Sequence, residues 1–190
     1  MKKVLKNILF YFCCLLVAPL ILIFKIQKLV MPERQAIKCF SEFFSIIPGV
    51  IGVFLRKAFY FYVLDYCSKN SYIGFGTIFS TTNVEIYDNV YIGTYCLIGW
   101  AKLEENVIIA SRVSIISGTK QHKNQALEKD DNIYSQVNIG KNSWIGEGAI
   151  VGANIRAESI VGAGAVVVKD CLDAGTYVGN PAKLLVKETL

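Results

Sequence analysis

The stretch that decides the fold is "IYDNVYIGTYCLIGWAKLEENVIIASRVSIISG", Ile86 to Gly118. It cuts into units of six, each opened by an aliphatic residue: "IYDNVY", "IGTYCL", a shortened "IGWAK", "LEENVI", "IASRVS" and the start of another, "IISG". A small or polar residue usually follows the opener, and a small or β-branched residue commonly sits at the fifth place. The period of six returns from Ile139 as "IGKNSW", "IGEGAI", a short "VGAN", "IRAESI" and "VGAGAV". A period of six rotates around a 3.6-residue helix, and glycine and β-branched residues are poor helix formers, so helices are a poor reading. An ordinary β-sandwich needs two-residue alternation and irregular turn signals. Six residues suffice for one short strand and one turn. The openers then stack inward as columns, and three units close a triangular coil of about 18 residues. Stacked coils leave open ends that need caps.

Working outward toward the N-terminus, the composition changes before Tyr72. Lys2, Lys3 and Lys6 precede "ILFYFCCLLVAPLILIF", Ile8 to Phe24, an uncharged run closed by Lys25 and Lys28. At ~1.5 Å per residue it spans about 25 Å, slightly less than a bilayer core of ~30 Å. A signal peptide is disfavoured, because no small-x-small cleavage site leads into a polar mature start. Pro19 favours a kink. A segment that dips into the membrane and returns, or lies in its surface, keeps both lysine clusters on the cytoplasmic face; a straight span puts one outside. The re-entrant or interfacial reading is preferred. A second apolar stretch, Cys39 to Cys67, is divided by Pro48-Gly49. Its later piece places large apolar residues around Arg56 and Lys57, which suits an interfacial helix with basic edges, a helical cap on the next domain, or both. The expected organisation is an apolar, membrane-associated helical region over residues 1–70, then a β domain over 71–190 with an insertion at about 119–136 and a C-terminal capping tail.

Of the 190 residues 53% are hydrophobic, and the formal net charge is +5. That apolar content supports a membrane-facing part. The charge suits a mildly basic surface, anionic lipid or a phosphorylated ligand. No aromatic-plus-basic clustering suggests a nucleic-acid partner. The six cysteines show neither a CxxC pair nor metal-ligand spacing and are read as reduced packing residues.

The repeat, together with the closing segment "VGAGAVVVKDCLDAGTYVGNPAKLL" (Val161 to Leu185) and its landmarks "VVVKD" and "GNPAK", resembles the hexapeptide-repeat acyltransferases. The resemblance covers about residues 72 to 187. It implies a mainly β fold, a left-handed parallel β-helix, here preceded by the apolar α-helical region. That handedness departs from the usual right-handed crossover. The N-terminal half, with "SIIPGVIGVFLRKAFY", resembles a membrane-associated branch that modifies surface polysaccharide or glycolipid. The implied activity is transfer of an acetyl group from acetyl-CoA to a sugar hydroxyl, less often an amine, by a homotrimer. The acceptor is a sugar or lipid-linked glycan, and the place is the cytoplasmic face of the bacterial inner membrane.

The repeat breaks at "TKQHKNQALEKDDNIYSQ", Thr119 to Gln136, which holds His122, the sole histidine of the chain. Long insertions of this kind are usually functional or disordered. In the family, an excluded loop here carries the catalytic histidine toward a neighbouring subunit. Imidazole titrates near neutrality, so His122 is the candidate general base. One departure is notable: Lys120 stands where the family often has a first histidine. A neutral lysine base needs a strongly lowered pKa, which an open polar loop does not provide. Lys120 therefore also keeps open a degenerate β-helix that acts as a membrane-associated scaffold.

By the same resemblance, Gly146 and Ala163 match small residues lining the pantetheine groove, although a tight corner needs small residues equally. Trp144 matches an aromatic beside the reacting centre and is also plausible packing. Val168 and Lys169 match the distal end of the cofactor. Lys169 and Lys183 could pair with its phosphates or be solvated surface charges. No metal is implied. A zinc site of three histidines shared between two subunits is disfavoured by a single histidine per chain. A nucleotidyltransferase would normally place a βαβ pattern before the repeat, and residues 1–70 have none.

Overall fold

The computed structural model describes residues 2–118 and 134–185. Three helices lead into a three-sided parallel β-helix. They are α1 (Lys2–Val30), α2 (Glu33–Ser45) and α3 (Gly49–Val63). The first face of the solenoid stacks Tyr66–Cys67, Val84–Ile86, Ala101–Leu103 and Val137–Ile139. The second stacks Tyr72–Ile73, Tyr91–Ile92, Ile108–Ile109, Trp144–Ile145, Ile160–Val161 and Thr176–Val178. The third stacks Ile78–Phe79, Leu97–Ile98, Ser114–Ile115, Ile150–Val151 and Val166–Val167, and its five strands mark five complete coils. The first coil starts at Tyr66, within the segment expected to be wholly helical.

The hexad openers form the inward columns. Cys67, Ile86, Leu103, Ile139, Ile155 and Cys171 pair in register along the first face. Ile73, Ile92, Ile109, Ile145, Val161 and Tyr177 do so along the second. Phe79, Ile98, Ile115, Val151 and Val167 do so along the third. All are buried. The fifth places are buried too: Val90, Cys96, Val107, Val113, Ser143, Ala149, Ser159 and Ala165. They fill the two corners where the chain turns between the first and second faces and between the second and third.

The fourth place carries a constraint of a different kind. Asn89, Tyr95, Asn106, Arg112, Asn142, Gly148, Glu158 and Gly164 all have positive φ. Each is the left-handed residue that reverses the chain within a four-residue turn, a conformation that costs about 1–2 kcal/mol for most residues. The three asparagines at one corner offset part of that cost by a ladder: Asn89 donates to Asn106 at 3.2 Å, and Asn106 to Asn142 at 2.9 Å. Among the described residues, the corner between the third and first faces has a positive-φ residue in one coil alone, Gly118 at the foot of the insertion. The shortened units "IGWAK" and "VGAN" and the insertion all fall at that corner, where no fixed turn geometry constrains length.

The N-terminal helices close the open end of the solenoid. Ser41 of α2 is fully buried; its Oγ accepts from Phe79 N at 2.7 Å and shares a 2.7 Å hydrogen bond with Tyr60 OH of α3. Gly76 N donates to Ser45 O. Arg56 is fully buried and donates to the carbonyls of Ile73, Phe44 and Ile47, which staples α3 to α2 and to the first coil. These bonds occupy an edge that would otherwise pair with another chain. At the other end, Lys183–Leu184 pairs antiparallel with Thr176–Val178.

Two expectations for this half change. Arg56 and Lys57 are buried rather than lying at the basic edges of an interfacial helix. The run Ile8 to Phe24 does not turn back, because α1 continues through Pro19 from Lys2 to Val30. Its stripe of Phe10, Cys13, Cys14, Val17, Ile21 and Phe24 is buried, and the helix packs against α3 and α2. Packing of that stripe outweighs the single helix hydrogen bond that proline removes. The outer face of α1 is exposed and apolar, with Val4, Leu5, Ile8, Leu15, Leu22 and Leu29 among its residues. Cys39 is exposed, so the reading of all six cysteines as packing residues holds for the other five.

Candidate active site

His122 and Lys120 lie outside the described residues. The insertion that carries them leaves and rejoins the solenoid at the variable corner after the third coil, and both feet are anchored. Gly118 takes φ +82°, and Gly118 N donates to Ile116 O. Ser117 Oγ accepts from Trp100 N at 2.9 Å, and Ser135 N donates to Ser117 O at 3.1 Å. Gln136 donates to Glu85 at 3.2 Å. The guanidinium of Arg34 lies 3.4 Å from the ring centre of Tyr134, so α2 packs directly on the returning foot. No motif in the sequence pairs Arg34 with Tyr134, a hundred residues apart; only the stacking of the cap brings them together.

The expected cofactor residues fall into separate groups. Trp144 points outward from the second face, half exposed, and pairs with Ile160. Gly146 follows at the next corner, and Ala163 lies in the adjacent coil. A Cβ placed on Gly146 would lie 2.6 Å from Ala163 N and 2.8 Å from the Gly162 carbonyl carbon. Glycine is therefore required by the approach of the two coils alone. Val168 and Lys169 are exposed at the variable corner, two coils beyond the insertion, or about 10 Å at the usual strand spacing. Lys183 is exposed in the antiparallel tail strand that extends the second face at its C-terminal edge. Within one chain, then, Trp144, Gly146 and Ala163 cluster along the second face, whereas Val168 and Lys169 share an edge with the insertion.

A second concave feature had no counterpart in the sequence reading. A cleft of about 1000 Å³ lies where α1 and α3 meet the first coils, lined in part by Lys6, Phe10, Phe54, Arg56, Lys57 and Lys69. Lys57 is 9% exposed, with its Nζ 4.9 Å from the Phe54 ring centre and 5.4 Å from that of Phe10. Burial pulls the Lys57 ammonium below its ordinary pKa and does the same to the Arg56 guanidinium. The available signal was a pair of adjacent basic residues inside an apolar helix.

No family model matches the chain. A Staphylococcus aureus (strain MRSA252) protein named for an inferred acetyltransferase activity is 34% identical over 114 residues, covering 55% of each chain. The galactoside O-acetyltransferase of Lactococcus lactis subsp. lactis (strain IL1403) is 27% identical over 162 residues, 83% of this chain and 70% of that one. The chain spans about half the length of most of the curated relatives it matches. Among solved structures, a maltose O-acetyltransferase from Clostridium difficile 630 superposes with a TM-score of 0.69 at 23% identity, covering 80% of this chain and 84% of that one. The hexapeptide-repeat containing acetyltransferase VCA0836 from Vibrio cholerae gives 0.63 at 19% identity, with 82% and 93% covered. These two likenesses establish the fold. With the in-register hexads, they make the chain similar in fold to hexapeptide-repeat acetyltransferases.

Proposed function

We propose that the chain transfers an acetyl group from acetyl-CoA to a hydroxyl of a sugar, with His122 as general base. The observation that carries this reading is the placement of the sole histidine in the one long insertion of an otherwise regular solenoid, anchored at both feet. The similarity to a galactoside O-acetyltransferase supports a sugar hydroxyl as acceptor. In the reaction, imidazole removes the hydroxyl proton as the oxygen attacks the thioester carbonyl. The tetrahedral intermediate collapses, the carbon–sulfur bond breaks, and the imidazolium returns the proton to the departing thiol. A backbone N–H facing the oxyanion would stabilise the intermediate. Trp144, Gly146 and Ala163 are the proposed pantetheine contacts, and Val168, Lys169 and Lys183 the contacts to the distal end. A homotrimer that joins the second face of one chain to the insertion of its neighbour would reunite the two groups. The outward row Tyr91, Ile108, Trp144 and Ile160 supports such packing, since each is 40% exposed or more.

The outer apolar face of α1, extended by Phe43, Ile46, Val50 and Ile51, supports association with the cytoplasmic surface of a membrane and a lipid-linked glycan as acceptor. The 27-residue stretch Val4–Val30 is also long and apolar enough to cross one.

The test is acceptor-dependent thiol release from acetyl-CoA by membranes carrying wild type or His122→Ala. Loss of about 10²–10⁴ in rate at unchanged acetyl-CoA affinity is expected. Retained activity would refute His122 as base and turn attention to Lys120. Failure of the folded wild type to bind acetyl-CoA would leave the scaffold reading, which Lys120 favours.

A further inference from the structure

We propose that the cleft beneath α1 and α3 binds the phosphate head group of a lipid whose apolar chain lies on the exposed outer face of the helices. The inference rests on the membrane-associated reading above and assigns the head-group chemistry that the surface selects.

The first argument is charge. Lys6, Arg56, Lys57 and Lys69 line the cleft, and its lining includes no carboxylate. None of the four makes an ion pair among the described residues. The nearby Asp88 is engaged by Ser68 Oγ and by Asn70 Nδ2. A buried cation without a counter-ion is costly unless something else neutralises it. The carbonyls around Arg56 satisfy its Nε and Nη1, whereas its buried Nη2 has no partner among the described residues. Lys57 has only two ring faces, and these cannot replace the hydrogen bonds of an ammonium group. An anion in the cleft completes Lys57 and offsets the charge of Arg56 beside it.

The second argument is shape and donor type. Besides the cations, the walls offer the side-chain amides of Asn7 and Asn70, while the Ser71 and Thr94 hydroxyls there already donate to Ser68 O and Ser111 Oγ. Two amides beside four cations suit the oxygens and charge of a phosphate better than a single carboxylate. The volume exceeds that of a bare phosphate and leaves room for a group esterified to it.

The third argument is position. Val50 lines the cleft and is 68% exposed, and Ile51 beside it is 65% exposed. Leu5 and Ile8, at 68% and 61%, flank Lys6 and Asn7 on α1. The cleft therefore opens onto the apolar face, which places a charged head group inward and a lipid chain outward, as in an amphiphile at an interface. A phospholipid and a glycan carried on a lipid phosphate share this chemistry.

Flotation of the full chain on vesicles tests the proposal, with three compositions: phosphatidylcholine alone, with added phosphatidylglycerol, and with added polyisoprenyl phosphate. Wild type, Lys57→Met and the surface variant Lys69→Gln are compared, after matching unfolding midpoints confirm that Lys57→Met folds. Binding to phosphatidylcholine alone, whose phosphate is neutralised by its own choline, should be the same for all three. The extra binding from phosphate lipid should fall at least tenfold in Lys57→Met and several-fold in Lys69→Gln. A gain with polyisoprenyl phosphate but not phosphatidylglycerol identifies an acceptor carrier; equal gains identify a bulk-lipid site. Undiminished phosphate-dependent binding in both variants overturns the proposal, as does competitive displacement of the lipid by acetyl-CoA. If wild type fails to bind any vesicle, the membrane reading fails. Titration with soluble hexyl phosphate then decides the cleft: Lys57-dependent binding sustains it, and none refutes it.

Discussion

Replacing Ser41 by alanine tests the claim that α2 caps the solenoid. The wild-type hydroxyl accepts from Phe79 N and shares a bond with Tyr60 OH, both at 2.7 Å, in a fully buried setting. Alanine strands both partners. A buried donor left unsatisfied costs about 1–3 kcal/mol, so Ser41→Ala should lose about 2–6 kcal/mol. Tyr60→Phe alone removes one hydrogen bond and leaves Ser41 bonded to Phe79, a loss of about 0.5–1.5 kcal/mol. In the double variant the phenol is gone and only the Phe79 N–H is unsatisfied, so the expected loss returns to about 1–3 kcal/mol. The second substitution should therefore rescue the first, a non-additivity that contact loss alone does not produce. Urea unfolding in mild detergent measures the cycle, and hydrogen exchange at the Phe79 amide reports the cap directly. A neutral Ser41→Ala, or a double variant at least as unstable as the sum of the singles, would refute the capping argument.

Two further outcomes follow from the solenoid. Gly146→Ala should lose about 1–3 kcal/mol, because the added carbon meets the backbone of the next coil and not a movable side chain. Gly148→Asn, with open space around it and asparagine already adopting positive φ at the fourth place of hexads at the neighbouring corner, should change stability little by the same unfolding assay. Alkaline pH gives the last test. Burial raises the Cys67 thiol from its ordinary 9.0 to about 12, so the folded state keeps a proton that the unfolded chain releases. Its contribution is intact below about pH 9 and is lost as pH rises toward 12. Unfolding midpoints across that window should fall, and Cys67→Ala should flatten the decline; an unchanged slope would count against it.

The β-helix was legible because its core repeats. Ile92, Ile109 and Ile145 are one structural position met again and again, and a short period cannot be read as any other element. The histidine-bearing insertion was legible for the complementary reason: it breaks the period. The corner geometry was less so. Small residues mark the second place, yet the left-handed fourth place is held by Asn106, Arg112, Glu158 and Gly164, which share no side-chain chemistry. Backbone conformation unites them, and side-chain type does not spell it out. The local pattern around Arg56 and Lys57 suits edge charges on an interfacial helix as well as a cap. Only the meeting of α3 with α1, α2 and the first coil buries them.

The sequence by itself determined the repeat, the inward columns, the apolar half and the place where the period breaks, since each depends on neighbours a few positions apart. The tertiary structure decided how the helices cap the solenoid, that α1 runs unbroken through Pro19, that Arg34 meets Tyr134, and that two cations face a cleft without a carboxylate. Those features join segments that are distant along the chain, and no local propensity encodes which surfaces will meet when the helices fold back over the first coil.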